Sequence, residues 1–294
     1  MRLRTHAKVN LFLRVVGARP DGFHEIETIM HGIDFGDDIE ITLTQTGQIE
    51  VEMSMAEGVM GDPPQRQQNI AYKAAAMLIE RGAKSEGLHI RIVKHIPVGA
   101  GLGGGSGNAA GIIVALNELW KMELGRPDML DVAALVGSDV PYCIEGGTAM
   151  ATARGEKLTP LPAPDDLWFV LGISYKWLLT REVYEEFDRI GAQEEASPSP
   201  MTLALGAGDL DEIASLLYND LELPACKMRP ELEAKKHALV RAGALGAGMS
   251  GSGPTMFGMA RDEEHAREIA SAVAGDFDAV RVTCSRAECI ERLD

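Results

Sequence analysis

The segment from Pro97 to Ala110 constrains this chain more than any other feature of its sequence. It holds six glycines between Gly99 and Gly107 and leads into a stretch with helical spacing, Asn108 to Trp120. Glycines permit positive φ values and let several backbone N–H groups converge on one phosphate. A helix that begins there adds the positive end of its dipole. The segment therefore predicts a loop that binds a di- or triphosphate.

Two other phosphate-binding loops match these residues in part. Gly99, Gly101 and Gly104 satisfy the GxGxxG pattern of a dinucleotide-binding oxidoreductase, but the acidic residue expected ~20 residues later at the end of a second strand has no counterpart. Gly105 occupies the position at which a Walker A loop has lysine. A nicotinamide-dependent oxidoreductase is therefore only an alternative, and the cation of the site must come from elsewhere in the chain.

The composition is that of an ordinary soluble enzyme, and we expect a cytoplasmic location because Met1 to Asn10 is not followed by a signal-type apolar region and cleavage site. Hydrophobic residues make up 46% and charged residues 24% of the 294 residues, as in ordinary soluble proteins. The net charge of −16 argues against a nucleic-acid partner, and no apolar run approaches the ~18 residues of a membrane span. We expect neither a nucleic-acid nor a membrane partner, and the sequence leaves a monomer and a weak homodimer open.

Strand and helix patterns alternate along the chain. The run from Ala7 to Val16, rich in Val, Leu and Phe, predicts a strand near the start, and Asn69 to Arg81 has the spacing of a helix. Three prolines predict a stiff, extended connector from Thr159 to Asp166. We therefore predict two domains, residues 1–160 and 161–294.

Two further motifs flank the glycine-rich segment: Ala7-Lys8-Val9-Asn10-Leu11 before it and Gly246-Ala-Gly-Met-Ser-Gly-Ser-Gly-Pro254 after it. With Pro97 to Ala110 they stand in the order found in the GHMP kinases, the superfamily named for galactokinase, homoserine kinase, mevalonate kinase and phosphomevalonate kinase, which this chain resembles. The resemblance implies the two-domain α+β GHMP kinase fold, in which ATP, Mg²⁺ and the acceptor meet in the cleft between the domains. It thus implies a small-molecule kinase.

Three shorter motifs resemble one branch of that superfamily: Asp21-Gly22-Phe23-His24-Glu25, Gly137-Ser138-Asp139-Val140-Pro141 and Asn219-Asp220-Leu221-Glu222. Kinases of that branch phosphorylate the 2-hydroxyl of a cytidine diphosphate-linked sugar alcohol, 4-diphosphocytidyl-2-C-methyl-D-erythritol, in non-mevalonate isoprenoid precursor biosynthesis. The resemblance implies the same small-molecule partner here. The alternatives are a GHMP kinase for homoserine or a mevalonate-type acceptor, and a non-catalytic nucleotide-binding protein.

The resemblance assigns Lys8 and Asp139 to the positions of the family's catalytic lysine and aspartate. A sugar-alcohol hydroxyl is a poor nucleophile, so a carboxylate that accepts its proton, with a cation alongside, helps its attack on the γ-phosphoryl group. Outside that context, Lys8 would suit a structural ion pair and Asp139 a turn or a helix cap. Asn10 is expected to orient the substrate near Lys8.

Phe23 and His24 correspond to the aromatic residue and the histidine with which the family recognises cytosine. Relatives usually have tyrosine at position 23, so this chain keeps the stacking surface and loses any hydroxyl contact. Tyr184 is assigned to the opposite wall of the base pocket. Tyr175 is a rival for that role, because residues 174–177 depart from the family's usual pattern.

The resemblance assigns most of the glycine-rich segment to ATP: Pro97, Gly99, Gly101, Leu102, Gly103, Gly104, Gly105, Ser106, Gly107 and Asn108. Asn69 is expected either near the adenine or as a cap of the helix that follows it. Ser106 is a candidate, through its hydroxyl, for contact with the phosphates or Mg²⁺, whereas Gly107 replaces a serine that is common in relatives. A second glycine loop is expected to close over the acceptor through Gly248, Ser250 and Gly251.

Overall fold

The computed structural model describes residues 1–62, 64, 69–82, 86–192 and 195–294. The strands in these ranges are β1 (Arg2–Ala18), β2 (His24–Thr44), β3 (Ile49–Met55), β4 (Gly87–Lys94), β5 (Thr148–Thr152), β6 (Lys157–Pro160), β7 (Trp168–Ile173), β8 (Tyr218–Asn219), β9 (Gly246–Met249), β10 (Met256–Ala260), β11 (Ala279–Cys284) and β12 (Ile290–Arg292). The helices are α1 (Ile70–Gly82), α2 (Gly104–Leu119), α3 (Arg126–Val136), α4 (Val140–Glu145), α5 (Thr180–Ile190), α6 (Pro198–Ala207), α7 (Leu210–Ser215), α8 (Glu222–Met228), α9 (Glu231–Arg241) and α10 (Glu263–Ala272).

The first sheet is built on β1 and β2, which pair as long antiparallel strands. Within the described residues its order is β12-β1-β2-β4-β3, with β5 and β6 continuing from β2 and the short β8 joining β1. Helices α1 and α2 pack together against this sheet and bury Leu78, Ile112 and Leu116 with strand residues such as Ile41 and Ile90. The predicted strand at the start of the chain is confirmed and is longer than the sequence pattern indicated.

The side chains of β1 alternate between the hydrophobic core on one face of the strand and the cleft on the other. Val9 and Leu11 are buried in a cluster that includes Phe169 of the second sheet. Successive side chains of a strand point to opposite faces. Lys8 and Asn10 therefore lie on the other side of β1, where they line the cleft described below.

The second sheet, in the described part of the chain, has the antiparallel order β11-β7-β10-β9. Helices α9 and α10 cover it, and Leu239 and Ile269 of these helices are buried with Val170 and Met249 of the strands. The last strand, β12, then returns to pair with the start of β1. The chain thus forms a mixed α+β fold, and the division into residues 1–160 and 161–294 stays a prediction.

The predicted connector from Thr159 to Asp166 is shorter than the prolines indicated. Thr159 and Pro160 belong to β6, where they pair with Met150 and Ala149 of β5. Proline is compatible with the end of an edge strand because no ladder hydrogen bond is required from its nitrogen there. None of the helices in the described ranges is long and apolar enough to cross a membrane.

A buried ion pair ties β2, β4 and α2 together beneath the glycine-rich segment. Asp37 is fully buried, and its carboxylate pairs with Lys94 Nζ and accepts hydrogen bonds from the backbone N–H groups of His95 and Ile96, both at 2.8 Å. Asn108 donates to the same carboxylate at 3.0 Å and accepts from Lys94 at 3.2 Å. All of the polar atoms in this group are therefore satisfied without water, as a buried charge requires.

We expect Asp37→Asn to lower the free energy of unfolding by about 3–5 kcal/mol, because it leaves the buried Lys94 ammonium without a counter-charge and places an NH₂ group opposite two donors. Asp38→Asn is the matched control, since Asp38 is partly exposed and pairs with Arg4 at the surface, where ion pairs contribute about 1 kcal/mol or less. Urea unfolding of both variants measures the difference. Equal losses would show that the pair at Asp37 contributes no more than a surface pair.

Candidate active site

A cleft of about 990 Å³ opens between the two parts of the fold. Its walls come from β1 and β2, the glycine-rich segment, the start of α4, helix α5 and the turn after β9. Three sequence motifs that are far apart in the chain therefore meet in one place.

Lys8 and Asp139 face each other at the centre of the cleft. The Nζ atom of Lys8 lies 3.5 Å from Oδ2 of Asp139, and the lysine side chain is 4% exposed against 35% for the aspartate. Asp139 occupies the N-cap position of α4, but its side chain accepts no capping hydrogen bond. The carboxylate is thus free to face Lys8 and the cleft, with an edge open to a bound molecule.

Asn10 fixes the position of the Lys8 ammonium. Lys8 Nζ donates to Asn10 Oδ1 at 2.6 Å, and Asn10 Nδ2 donates to Thr28 Oγ1 at 2.8 Å. The Thr28 hydroxyl in turn donates to the carbonyl of Phe12. Because Thr28 is committed as an acceptor and a donor, the amide of Asn10 must present its oxygen to Lys8.

The two glycine loops meet at the carbonyl of Gly101. This oxygen accepts from Lys8 Nζ at 3.1 Å and from Ser250 Oγ at 3.0 Å. Gly101 has a φ of +78°, and a Cβ there would lie 2.2 Å from the carbonyl oxygen of Ser250. Asn219 stabilises the second loop, because its Nδ2 donates to the carbonyls of Met249 and Gly251. The predicted pairing of the two loops is thus a direct contact.

Helix α2 begins inside the glycine-rich segment, at Gly104, four residues before the helical stretch that the sequence pattern predicted from Asn108. Gly103 is its N-cap, with a φ of +74° and no side chain to accept from the first turn. The first N–H groups of a helix lack intrahelical partners, so those of α2 are available to an anion, as the sequence predicts. Ser106 lies in this turn and lines the cleft. By contrast, a Cβ at Gly107 would face Thr5 and His6 of β1, so a serine there would not project into the cleft.

The residues on the ATP side divide into those that face the cleft and those that support it. Asn108 is 1% exposed and directs its amide at Asp37 and Thr5, which makes it a support of α2. Asn69 caps α1, since its Oδ1 accepts from the N–H of Ala71 at 3.0 Å, and it also lines the cleft. The structure therefore agrees with the capping alternative for Asn69.

Lys94 is a cation of the cleft that the sequence reasoning did not identify. It lines the cleft and lies so close to α2 that a Cβ at Gly104 would be 2.9 Å from its Nζ. The only sequence feature that could have indicated this role is its place at the end of a strand, three residues before Pro97. Its charge is compensated by Asp37.

The aromatic end of the cleft is formed by β2 and α5. The ring of His24 stacks on Tyr184 with centroids 4.7 Å apart and planes 26° apart. Burial, followed by the nearby Asp139 and Asp220 carboxylates, raises the pKa of Tyr184 well above its usual range. Phe23 is 50% exposed, and the guanidinium of Arg154 lies over its ring at 5.1 Å. The Phe23 ring therefore has one face covered by a cation, and any base must stack on the other.

Three of the residues predicted for the acceptor do not line the cleft. Ser250 is fully buried, and its hydroxyl is used by the contact with Gly101. Tyr175 donates to the carbonyl of Gly58 at 2.7 Å and packs on Trp177, and it does not line the cleft. Gly248 lies in β9, where its Cα faces the ring of Phe257. The geometry therefore favours Tyr184 over Tyr175 as a wall of the base pocket.

Helix α5 is linked to the second glycine loop by residues that the motifs did not reveal. Thr180 Oγ1 lies 2.9 Å from Ser252 Oγ, so the start of α5 is held by the turn that follows β9. At the other end of the helix, Asp188 lies 2.8 Å from His24 Nε2. Neither contact could be read from local sequence, because each joins residues more than 70 positions apart.

Comparisons with known proteins agree with this arrangement. The family described as "GHMP kinases N terminal domain" matches residues 69–147, and "GHMP kinases C terminal" matches residues 201–279. The chain is 39% identical over 95% of its length to a 4-diphosphocytidyl-2-C-methyl-D-erythritol kinase of Shouchella clausii (92% of that protein). It is 41% identical over 94% of its length to the protein of the same name from Pelotomaculum thermopropionicum (95% of that protein).

A solved structure is similar over almost the whole chain. The crystal structure of a 4-(cytidine 5'-diphospho)-2C-methyl-D-erythritol kinase superposes with a TM-score of 0.79 at 31% identity, covering 97% of this chain and 100% of that one. The two glycine loops, the Lys8–Asp139 pair and these matches define the chain as a GHMP kinase. Within that superfamily, the full-length identity to the relatives places it in the 4-diphosphocytidyl-2-C-methyl-D-erythritol kinase family.

We expect Gly101→Ala to lower the free energy of unfolding by about 1–3 kcal/mol or more, since a non-glycine residue at positive φ is strained and the new Cβ would collide with Ser250. Gly105→Ala is the matched control in the same segment, because a Cβ there makes only ordinary contact with Ile70 and alanine is the better helix former. Urea unfolding of both variants tests the contact. A Gly101→Ala protein as stable as the control would show that the loops are not held together as described.

Proposed function

We propose that this protein transfers the γ-phosphoryl group of ATP to the 2-hydroxyl of 4-diphosphocytidyl-2-C-methyl-D-erythritol. The observation that carries the proposal is the Lys8–Asp139 pair, which lies in one cleft with the open first turn of α2. The names of the full-length relatives support the choice of acceptor. The aromatic end of the same cleft supports a base-containing substrate.

ATP binds with its phosphates at the start of α2. Converging backbone N–H groups and the helix dipole compensate the phosphate charge there, with no side chain required from the glycines. The aliphatic part of the Lys8 side chain lies against Gly103, where an added Cβ would be 3.1 Å from the lysine Cγ, and the Lys8 ammonium donates to the carbonyl of Gly101 in the same segment at 3.1 Å. A positive charge is thus next to the phosphate loop and next to Asp139 at once.

Asp139 acts as the general base. Its carboxylate takes the proton of the acceptor hydroxyl while the hydroxyl oxygen attacks the γ-phosphorus in line with the leaving ADP oxygen. Lys8 stabilises the carboxylate before the reaction and the charge on the phosphoryl oxygens during it. Since Asn10 and Gly101 hold Lys8 in place, little reorganisation is needed when the charge moves.

Mg²⁺ accompanies ATP in this proposal. Among the described residues, no group of three His, Cys, Asp or Glu side chains could hold a metal ion by itself, and magnesium typically takes one or two protein oxygens together with phosphates and water. The Ser106 hydroxyl, on the cleft wall, is a suitable oxygen donor. When bound, the ion would neutralise charge on the phosphates.

The cytosine of the acceptor stacks on the exposed face of Phe23, with Tyr184 and His24 forming the neighbouring wall. Phenylalanine in place of the usual tyrosine keeps the stacking surface. Arg154, on the far face of Phe23, fixes that ring by a cation–π contact. The acceptor would then extend through the cleft from Phe23 toward Asp139, since both residues line it.

We expect Asp139→Asn to lower kcat by about 10²-fold or more, the usual contribution of a general base, while ATP binding is retained. Calorimetric titration with a non-hydrolysable ATP analogue measures the binding, and a coupled assay measures turnover. Asp131→Asn, on the exposed face of α3, is the control for loss of one carboxylate and should turn over normally. Near-normal turnover by Asp139→Asn would remove this residue from the mechanism.

The choice of acceptor is tested by ATP consumption with the complete cytidine-containing acceptor, the same acceptor without its cytidine monophosphate part, mevalonate and homoserine. We expect turnover with the complete acceptor alone, because the aromatic end of the cleft would otherwise be empty. Turnover with homoserine or mevalonate would keep the GHMP kinase assignment and contradict the acceptor. No turnover with any of them would favour a nucleotide-binding protein without kinase activity.

A further inference from the structure

The orientation of His24 is fixed from three sides. Its ring stacks on Tyr184, the edge of Phe187 meets it at 6.5 Å and 89°, and Asp188 Oδ1 lies 2.8 Å from its Nε2. The His24 side chain is 11% exposed, whereas that of Asp188 is 51% exposed. Tyr184 and Asp188 are four residues apart on α5, so they share one face of that helix. One turn of α5 thus supplies both the stacking ring and the carboxylate.

The carboxylate determines which nitrogen of the neutral imidazole carries the proton. An ionised carboxylate can only accept hydrogen bonds, so the hydrogen of the neutral ring is placed on Nε2 and the lone pair on Nδ1. In the part of the chain that the structure describes, no protein group is hydrogen-bonded to His24 Nδ1. His24 lines the cleft next to Phe23. The nitrogen that is left for a ligand is therefore an acceptor.

We propose that Asp188 is a positioning residue that makes this site selective for a base with an amino group rather than a carbonyl group at its pairing edge. Cytosine presents an amino donor at C4, whereas a uracil-type base presents a carbonyl acceptor at the same position. The lone pair on Nδ1 accepts a hydrogen bond from the amino group of cytosine and repels the carbonyl oxygen of a uracil-type base. The inference deepens the proposed function and rests on it, since it assumes that the acceptor carries a pyrimidine beside Phe23.

A purely structural role explains Asp188 less well. A half-exposed ion pair contributes little to stability, and the structure gives the Asp188 side chain no hydrogen bond to a described residue other than His24. The rings of Tyr184 and Phe187 already hold the imidazole plane. What the carboxylate adds is the choice of protonated nitrogen, which has no effect on packing and a direct effect on ligand recognition.

The tautomer can be observed without any substrate. The chain has seven histidines, so protein labelled with ¹⁵N only in histidine gives a short set of signals, and a His24→Gln spectrum identifies those of His24. At pH 8.5 we expect wild-type His24 to show the Nε2–H form. Asp188→Asn should shift it toward a mixture or toward Nδ1–H, because an amide can donate to Nε2 as well as accept from it. Glu182→Gln, an exposed carboxylate on the same helix outside the cleft lining, should leave the signals unchanged.

The specificity is measured as the ratio of kcat/KM for the cytidine acceptor to that for the same acceptor with uridine. We expect Asp188→Asn to lower this ratio about tenfold or more, because the variant loses the charged hydrogen bond that keeps the imidazole hydrogen on Nε2. The KM for ATP and the melting temperature should not change. Glu182→Gln should keep the wild-type ratio. Both the spectra and the ratio are compared in the same three proteins.

The outcomes separate this inference from the function on which it rests. An active enzyme whose Asp188→Asn variant keeps the wild-type ratio, or whose His24 already carries its hydrogen on Nδ1, would overturn the inference and leave the kinase assignment standing. A wild-type enzyme with equal kcat/KM for the cytidine and the uridine acceptor would also overturn the inference and leave the kinase assignment standing. A wild-type protein that phosphorylates neither acceptor would contradict the proposed function itself, and the inference with it.

Discussion

The site depends on one carbonyl oxygen, that of Gly101, which accepts from both Lys8 and Ser250. A nearly dehydrated ammonium is costly unless its protons are all directed at acceptors, and Lys8 meets this condition with Asn10, Gly101 and Asp139. The two glycine loops can approach each other this closely because Gly101 has no side chain to collide with Ser250. The first strand, the phosphate loop and the second glycine loop are therefore one hydrogen-bonded unit.

This unit also connects the reacting end of the cleft to its base-binding end. Ser252, two residues after Ser250, contacts Thr180 at the start of α5. That helix carries Tyr184 and Asp188, which stack on and pair with the ring of His24. A shift of the second glycine loop would consequently move residues that contact both the hydroxyl end and the base end of a bound acceptor. Such a coupling suits an enzyme that must bring a hydroxyl and a phosphoryl group together while the recognised base lies at a distance.

Local sequence predicted what depends on local geometry. The strand that carries Lys8 follows from the apolar run Ala7 to Val16, and the glycine content predicted a turn ahead of a helix, although the helix begins at Gly104 rather than at Asn108. The pairing of Lys8 with Asp139 came from the family resemblance. Sequence could not predict that Asn108 supports α2 by binding Asp37, since that contact joins residues 71 positions apart and depends on the packing of α2 against the sheet.

Oriented backbone dipoles, rather than the cationic side chains of the cleft, explain how an acidic chain can bind two polyphosphate-containing molecules. Each lysine and arginine side chain that the structure describes in the cleft lining is paired with a carboxylate: Lys8 with Asp139, Lys94 with Asp37, Arg154 with Glu156 and Arg181 with Glu185. These side chains therefore add little net positive field. The attraction for phosphate must then come mainly from oriented N–H groups at the start of α2, which act over short distances. Solvent screening limits the repulsion from the acidic surface to about 8 Å at physiological salt. Recognition of the anions therefore takes place inside the cleft, where the dipoles are fixed.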